Sequence, residues 1–373
     1  MLLTTLILGF FALLFISATV APLGSLGWWA GWFGEELSLD EIEDADGDGS
    51  ILDDLATAFF HVNPDQPTQS NQDPSDAGVT ARRASTAQAD ANADGDSARD
   101  GHKQQPKPQQ AAHYIVYLSG IGAFTGSSIP REELPFIEAL RTQVSNSAII
   151  TDVFPYSVTN LGLTGERLFA RIWRYIEAQR PHNPNSLWLY LVVLRNLFQV
   201  MVAADRRYGP IYNLGVAREI WRSLLQHGYR PDSKTPLTLI GVSGGAQIAI
   251  GAVSYLSKVI GAPIQIISLG GVIASDPGLL KVKHLYHLYG ANDSTHKIGP
   301  LLFPGRWSVS ANSAWNRALR RGLITMKETG PADHVGKDSH FDPDAFAPDG
   351  RSYFQITLDE VLAILQPAAS TTS

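Results

Sequence analysis

Residues Leu237–Gly251 read LTLIGVSGGAQIAIG, and the reading of this stretch decides the fold. Leu237–Val242 is an apolar, β-branched run of the kind that forms a buried strand. It passes into Gly241-Val242-Ser243-Gly244-Gly245, and then into a helix-like alternation of small and apolar residues. The expected unit is therefore a strand, a sharp turn with Ser243 at its apex, and a helix. The glycines have a mechanical reason. The serine of such a turn sits in a strained backbone conformation, and side chains two positions either side of it would collide. The turn lifts the hydroxyl clear of the sheet, beside a helix N-terminus whose N–H groups favour negative charge. An ordinary glycine-rich strand-to-helix turn carries the same short pattern, so the surrounding chain must decide between the two.

Outward from this unit, strand and helix patterns alternate. Tyr114–Leu118 (YIVYL) predicts a first strand and Ala148–Phe154 a second, with a helix over Pro130–Val144 between them. Leu237–Val242 is the third, Ile264–Leu269 the fourth, His284–Tyr289 the fifth and Leu323–Lys327 the sixth. Helices are expected over Gly245–Ile260, Ser310–Arg321 and Thr357–Leu365. Such alternation predicts an α/β fold, a mostly parallel, doubly wound sheet with helices on both faces. In these sheets ligands bind at the carboxyl ends of the strands, where Ser243 lies. An insertion of about Ser157–Thr235 separates the second and third strands, with helix signals at Gly165–Ala178 and Leu214–Gln226. Within it, Leu187–Ala203 (LWLYLVVLRNLFQVMVA) is nearly all apolar but holds Arg195 and Asn196. An Arg near the centre is costly in a bilayer, so a helix over the site, as a lid or as plain core, fits better than a span.

A serine hydroxyl needs a base, and the base needs an orienting carboxylate. Asp293 follows the fifth strand in Gly290-Ala291-Asn292-Asp293-Ser294, and His334 follows the sixth in Ala332-Asp333-His334-Val335. The order Ser243, Asp293, His334, one from each of several strand ends, can bring the three together above a parallel sheet. Asp276 is a second candidate acid and His340 a second candidate base. Donors for an oxyanion are expected from Gly244 and from the loop after the first strand, at Ile121 or its neighbour Gly120.

With these residues the segment from about His113 to Leu365 resembles the α/β-hydrolase superfamily. The features that match are Gly241-x-Ser243-x-Gly245 on the strand-to-helix turn, Asp293, His334 and the glycine-bearing loop after Leu118. The resemblance implies an eight-stranded sheet at full size, of which six strands are placed here. It implies an acyl-enzyme mechanism without cofactor or metal: Ser243 as nucleophile, His334 as base and then acid, Asp293 as the group that orients the imidazole. It covers esterases, lipases, thioesterases, peptidases and acyltransferases, so the substrate is left as a small-molecule or lipid-like acyl compound. One departure is that family lids often follow the strand after the nucleophile helix. Here Gly270–Val282 is short and the long insertion comes earlier.

The remainder of the 373 residues reads differently. Leu2–Leu26 holds no charged side chain, and Trp28, Trp29, Trp32 and Phe33 follow it. This predicts a transmembrane anchor with an aromatic belt over residues 1–33. The rival reading is a cleaved signal peptide, which usually has a basic start that is missing here. Residues 34–112 are acidic and then rich in Gln, Asp, Ala, Ser and Pro, and they predict a disordered linker, with one short helix at Leu52–Phe60. Asp44, Asp46 and Asp48, with Gly49 and Ile51, match the start of a calcium loop. Leu55 stands where a closing Glu belongs, so an acidic spacer is the simpler reading. The domain expected to carry the site is 113–368, with the insertion at 157–235. A net charge of −7 with no long basic cluster argues against nucleic acid as a partner. The chain has no cysteine, which removes disulfides and thiolate chemistry. Membrane side and oligomeric state are not determined by these features. Two functions compete: a membrane-tethered serine hydrolase, and a catalytically silent hydrolase-like binding or scaffold domain.

Overall fold

The computed structural model describes residues 110–123, 129–157 and 187–366. The anchor expected at 1–33, nearly all of the linker with Asp44, Asp46 and Asp48, and the helix expected at Gly165–Ala178 lie outside the described residues. Among the described residues, no helix is long and apolar enough to cross a membrane.

Six strands form one sheet: β1 (His113–Leu118), β2 (Ser147–Ile150), β3 (Leu237–Val242), β4 (Ile264–Leu269), β5 (His284–Tyr289) and β6 (Ile324–Glu328). Their order is β2-β1-β3-β4-β5-β6, and every neighbouring pair is parallel. All six residues of β3 are buried, which is why it reads as a continuous apolar run rather than an alternating one. Leu237 and Leu239 point to one core cluster, Ile240 and Val242 to the other, as the two-residue period of a strand requires.

The helices cover both faces. On one side lie α1 (Leu134–Gln143), with Phe136, Ile137 and Leu140, and the last helix, Tyr353–Leu365, with Leu358 and Val361. On the other lie α2 (Leu187–Ala204), α3 (Gly209–Gln226) and α4 (Gly244–Val259). The short helices α5 (Ile298–Leu302) and α6 (Ala314–Arg320) follow β5, and Tyr353–Leu365 completes the order as α7.

Most boundaries move by a few residues. β2 stops at Ile150 rather than Phe154, although Val153 and Phe154 stay buried. α6 begins only after Ser313, whose side chain accepts the Asn316 N–H at 3.2 Å, so the helix expected from Ser310 is shorter. α7 begins at Tyr353, four residues before Thr357, because Ser352 caps it by accepting the Gln355 N–H. Replacing Ser352 with Ala should lower stability by about 1 kcal/mol, read as a shift in the denaturant midpoint.

The strand order reverses at β1. The chain leaves β1 toward β2 on one side and returns to β3 on the other. The register sets Leu118 beside Gly241, Val242 beside Leu269 and Leu269 near Leu288. The loops after β1, β3, β4 and β5 therefore emerge along one edge. A crevice at such a reversal is where open α/β sheets bind ligands.

Candidate active site

Ser243 has φ 50° and ψ −118°, a left-handed backbone that a side chain rarely adopts. The turn is tight enough to make its flanking glycines obligatory. A β-carbon on Gly241 would lie 2.5 Å from the Ala246 Cα, and one on Gly245 would lie 2.4 Å from the Leu118 carbonyl oxygen. Both clashes are with backbone, which cannot step aside. Gly241 thus lets the turn fold back on α4, and Gly245 lets the turn touch the end of β1.

The loops at the ends of β5 and β6 bring Asp293 and His334 to this turn. His334 Nε2 lies 2.9 Å from Ser243 Oγ, and His334 Nδ1 lies 3.0 Å from Asp293 Oδ2. Asp293 is fully buried, and its Oδ1 accepts the Thr295 N–H at 2.8 Å. Burial by itself would raise this carboxyl. The hydrogen bond from His334, the facing His340 imidazole and the Thr295 N–H outweigh it and hold the group well below the usual carboxylate range. An ionised Asp293 can only accept, so the proton of a neutral His334 sits on Nδ1. Nε2 is left with a lone pair aimed at the serine hydroxyl. Gly270, after β4, makes room for this pair: at φ +59°, a β-carbon there would lie 2.8 Å from Asp293 Oδ2 and 3.0 Å from His334 Nδ1.

The two alternative candidates fall elsewhere. His340 does not reach Ser243. It is buried with Nε2 3.8 Å from Asp293 Oδ2, while its Nδ1 lies 3.3 Å from Thr329 Oγ1. It packs against the acid rather than the nucleophile. Asp276 caps the turn Pro277–Leu280, accepting the Gly278 N–H at 2.8 Å and the Gln247 side chain at 3.3 Å, and has no hydrogen bond to His334.

The loop after β1 corrects one expectation. Gly120 N–H donates to the buried Glu133 at 3.2 Å, so it is already committed. Ile121 N–H has no such bond among the described residues, and the Ile121 side chain packs against Gly244. Ile121 therefore stays the candidate donor of this loop, beside Gly244, the first residue of α4, whose N–H directly follows Ser243 in the chain. A β-carbon on Gly244 would lie 2.6 Å from Val200 and 2.8 Å from Ile121, so α2 closes directly over this position.

Sequence patterns do not reveal what holds the loop. Asn196, fully buried in α2, donates its amide to the carbonyls of Ile121 (2.7 Å) and Ala123 (2.9 Å). Arg195 orients it, donating to the Asn196 side chain and to the Tyr156 carbonyl. The Tyr156 hydroxyl in turn donates to the Ser119 carbonyl at 2.8 Å. The available signal is a polar pair inside an apolar helix, which must find partners when buried. Asn196→Ala leaves two carbonyls without their donor. It is expected to cost about 1–3 kcal/mol in denaturant unfolding and to lower turnover by about tenfold or more.

A scan against protein-family models and a search of curated proteins find no match to this sequence.

Proposed function

We propose that the chain is a serine hydrolase of the α/β-hydrolase type, cleaving an ester or other acyl group through a covalent acyl-enzyme. The observation that carries this reading is the relay from Asp293 through His334 to Ser243, with both contacts at hydrogen-bond distance and Ser243 at positive φ. In the forward half-reaction His334 Nε2 takes the hydroxyl proton as Ser243 Oγ attacks the acyl carbon. The oxyanion accepts from the N–H groups of Gly244 and Ile121. The imidazolium, stabilised by Asp293, gives its proton to the leaving group. Water then repeats the sequence against the acyl-enzyme, with His334 again as base, and frees Ser243.

An apolar acyl group is the substrate class we favour. Val200 and Asn196 face inward from α2, while Leu194, Leu197 and Phe198 on its other face are exposed, at 47%, 42% and 50%. With the anchor expected at 1–33, this supports a lipid-like substrate met at a membrane.

The test is labelling with a fluorophosphonate probe. Wild type and His340→Ala are expected to label, and Ser243→Ala and His334→Ala are not. Retained labelling of Ser243→Ala overturns the assignment of the nucleophile. A folded wild type that does not label points instead to a silent binding or scaffold domain.

A further inference from the structure

His334 and His340 belong to one loop, and that loop brings both imidazoles to the same carboxylate. The Asp333 N–H donates to the Asp338 carbonyl at 2.7 Å, and Gly336 and Asp338 take positive φ, so the chain after His334 turns back on itself. Phe341 then packs edge-on against Phe136 and fixes the return. His340 is 2% exposed. Its Nε2 lies 3.8 Å from Asp293 Oδ2, the oxygen that also faces His334 Nδ1 at 3.0 Å. At that distance the contact is electrostatic rather than a hydrogen bond, and the buried Nε2 has no other partner.

Chemistry places the proton on this ring. A lone pair on Nε2 would face an ionised carboxylate inside the protein, where repulsion is strong. A proton on Nε2 turns the same contact into attraction. Thr329 Oγ1, 3.3 Å from His340 Nδ1, serves that nitrogen with either polarity, since a hydroxyl both donates and accepts. The other ionisable groups near the pair are His287 on β5, His296 after it and Arg306 ahead of α6. His287 is fully buried with Nδ1 2.9 Å from Ser268 Oγ, and burial pushes its pKa down to about 3, so it carries no charge. His296 Nδ1 meets the Asp293 backbone carbonyl, and Arg306 stacks over Trp315 and donates to the Ile273 carbonyl. Among the described residues, only His334 and His340 pair with the Asp293 carboxylate.

We infer that His340 is a positioning residue: a second imidazole N–H beside Asp293 Oδ2 that steadies the carboxylate and draws off part of its charge, acting on His334 only through Asp293. The inference rests on the relay of Ser243, His334 and Asp293 proposed above. Its consequence has a sign. Without the His340 donor, more of the carboxylate's charge acts on His334, and the protonated imidazole persists to higher pH.

The test follows the ring resonances of His334 against pH by nuclear magnetic resonance, in the full-length chain with isotope-labelled histidine. Their loss in His334→Ala assigns them. His340→Met fills similar space without the donor, and the His334 midpoint is expected to rise by about 0.5 pH unit or more. The acid limb of kcat/KM for an activated short-chain ester should move with it. His340→Gln, whose amide carries an N–H near the Nε2 position, should restore the wild-type midpoint. In Asp293→Asn, adding His340→Met should leave the midpoint unchanged, because the group it acts through is gone. If His340→Met does not fold, Thr329→Val, which removes the partner of Nδ1, should move the midpoint in the same direction by less. A midpoint that stays put in these variants overturns the inference, as does a shift that persists in Asp293→Asn. The resonances are read without turnover. A wild type that hydrolyses no ester while its midpoint still responds to His340→Met therefore counts against the hydrolase reading alone.

Discussion

Replacing Asp293 with Asn should lower kcat/KM for an activated short-chain ester by on the order of 10⁴-fold while leaving the far-ultraviolet circular dichroism unchanged. The reason is the tautomer. Ionised Asp293 accepts from His334 Nδ1 at 3.0 Å, which leaves Nε2 free to take the Ser243 proton. An amide presents its NH₂ to Nδ1, moves the proton to Nε2 and turns the base away from its task. Ser243→Ala, which removes the proposed nucleophile, should fall further, by on the order of 10⁶-fold. The same carboxylate has a stability signature. Its pKa is lowered in the folded chain, so its contribution is complete above the ordinary carboxylate value of about 4. That contribution is lost as pH falls toward the folded value. The stability gap between wild type and Asp293→Asn is therefore expected to close on acidification, as measured by urea unfolding at a series of pH values.

Gly270→Ala should also damage activity, although Gly270 takes no part in the chemistry. A methyl group there would lie 2.8 Å from Asp293 Oδ2 and 3.0 Å from His334 Nδ1, and the backbone is held at φ +59°. Alanine at positive φ costs about 1–3 kcal/mol, and moving a catalytic group by about 1 Å costs on the order of 10²-fold in rate. The expected result is a loss of kcat of about 10²-fold or more with a modest loss of stability. Unchanged kcat would mean that the Asp293–His334 pair tolerates displacement, and the account of Gly270 would fail.

Gly270 also shows where sequence reading stops. The strands are legible because burial on both faces leaves a local trace, as in Leu237–Val242 and Ile264–Leu269. The turn at Ser243 is legible because only glycine fits two positions on either side. The choice between His334 and His340 is not, since both sit in the same loop and both face Asp293 Oδ2, and only folding sets His334 between that carboxylate and Ser243. Gly120 and Ile121 are equally plausible donors until Glu133, 13 residues on, is seen to occupy the first. Asn196 is the extreme case. Its partner, the Ile121 carbonyl, lies 75 residues away, and nothing local to either position announces the pairing.

That pairing limits how the insertion can move. A covering helix is usually pictured as a door that swings while the machinery beneath stays intact. Here the door is bolted to the machinery: Asn196 holds the loop that presents the Ile121 N–H, and Val200 rests on Gly244. Swinging α2 outward strips the donors from the Ile121 and Ala123 carbonyls, at about 0.5–1.5 kcal/mol for each. It also releases the strand-end loop that the oxyanion needs. Opening this helix therefore works against keeping the loop after β1 in place, and under the proposed function an acyl group is expected to enter past α2 rather than beneath a raised one.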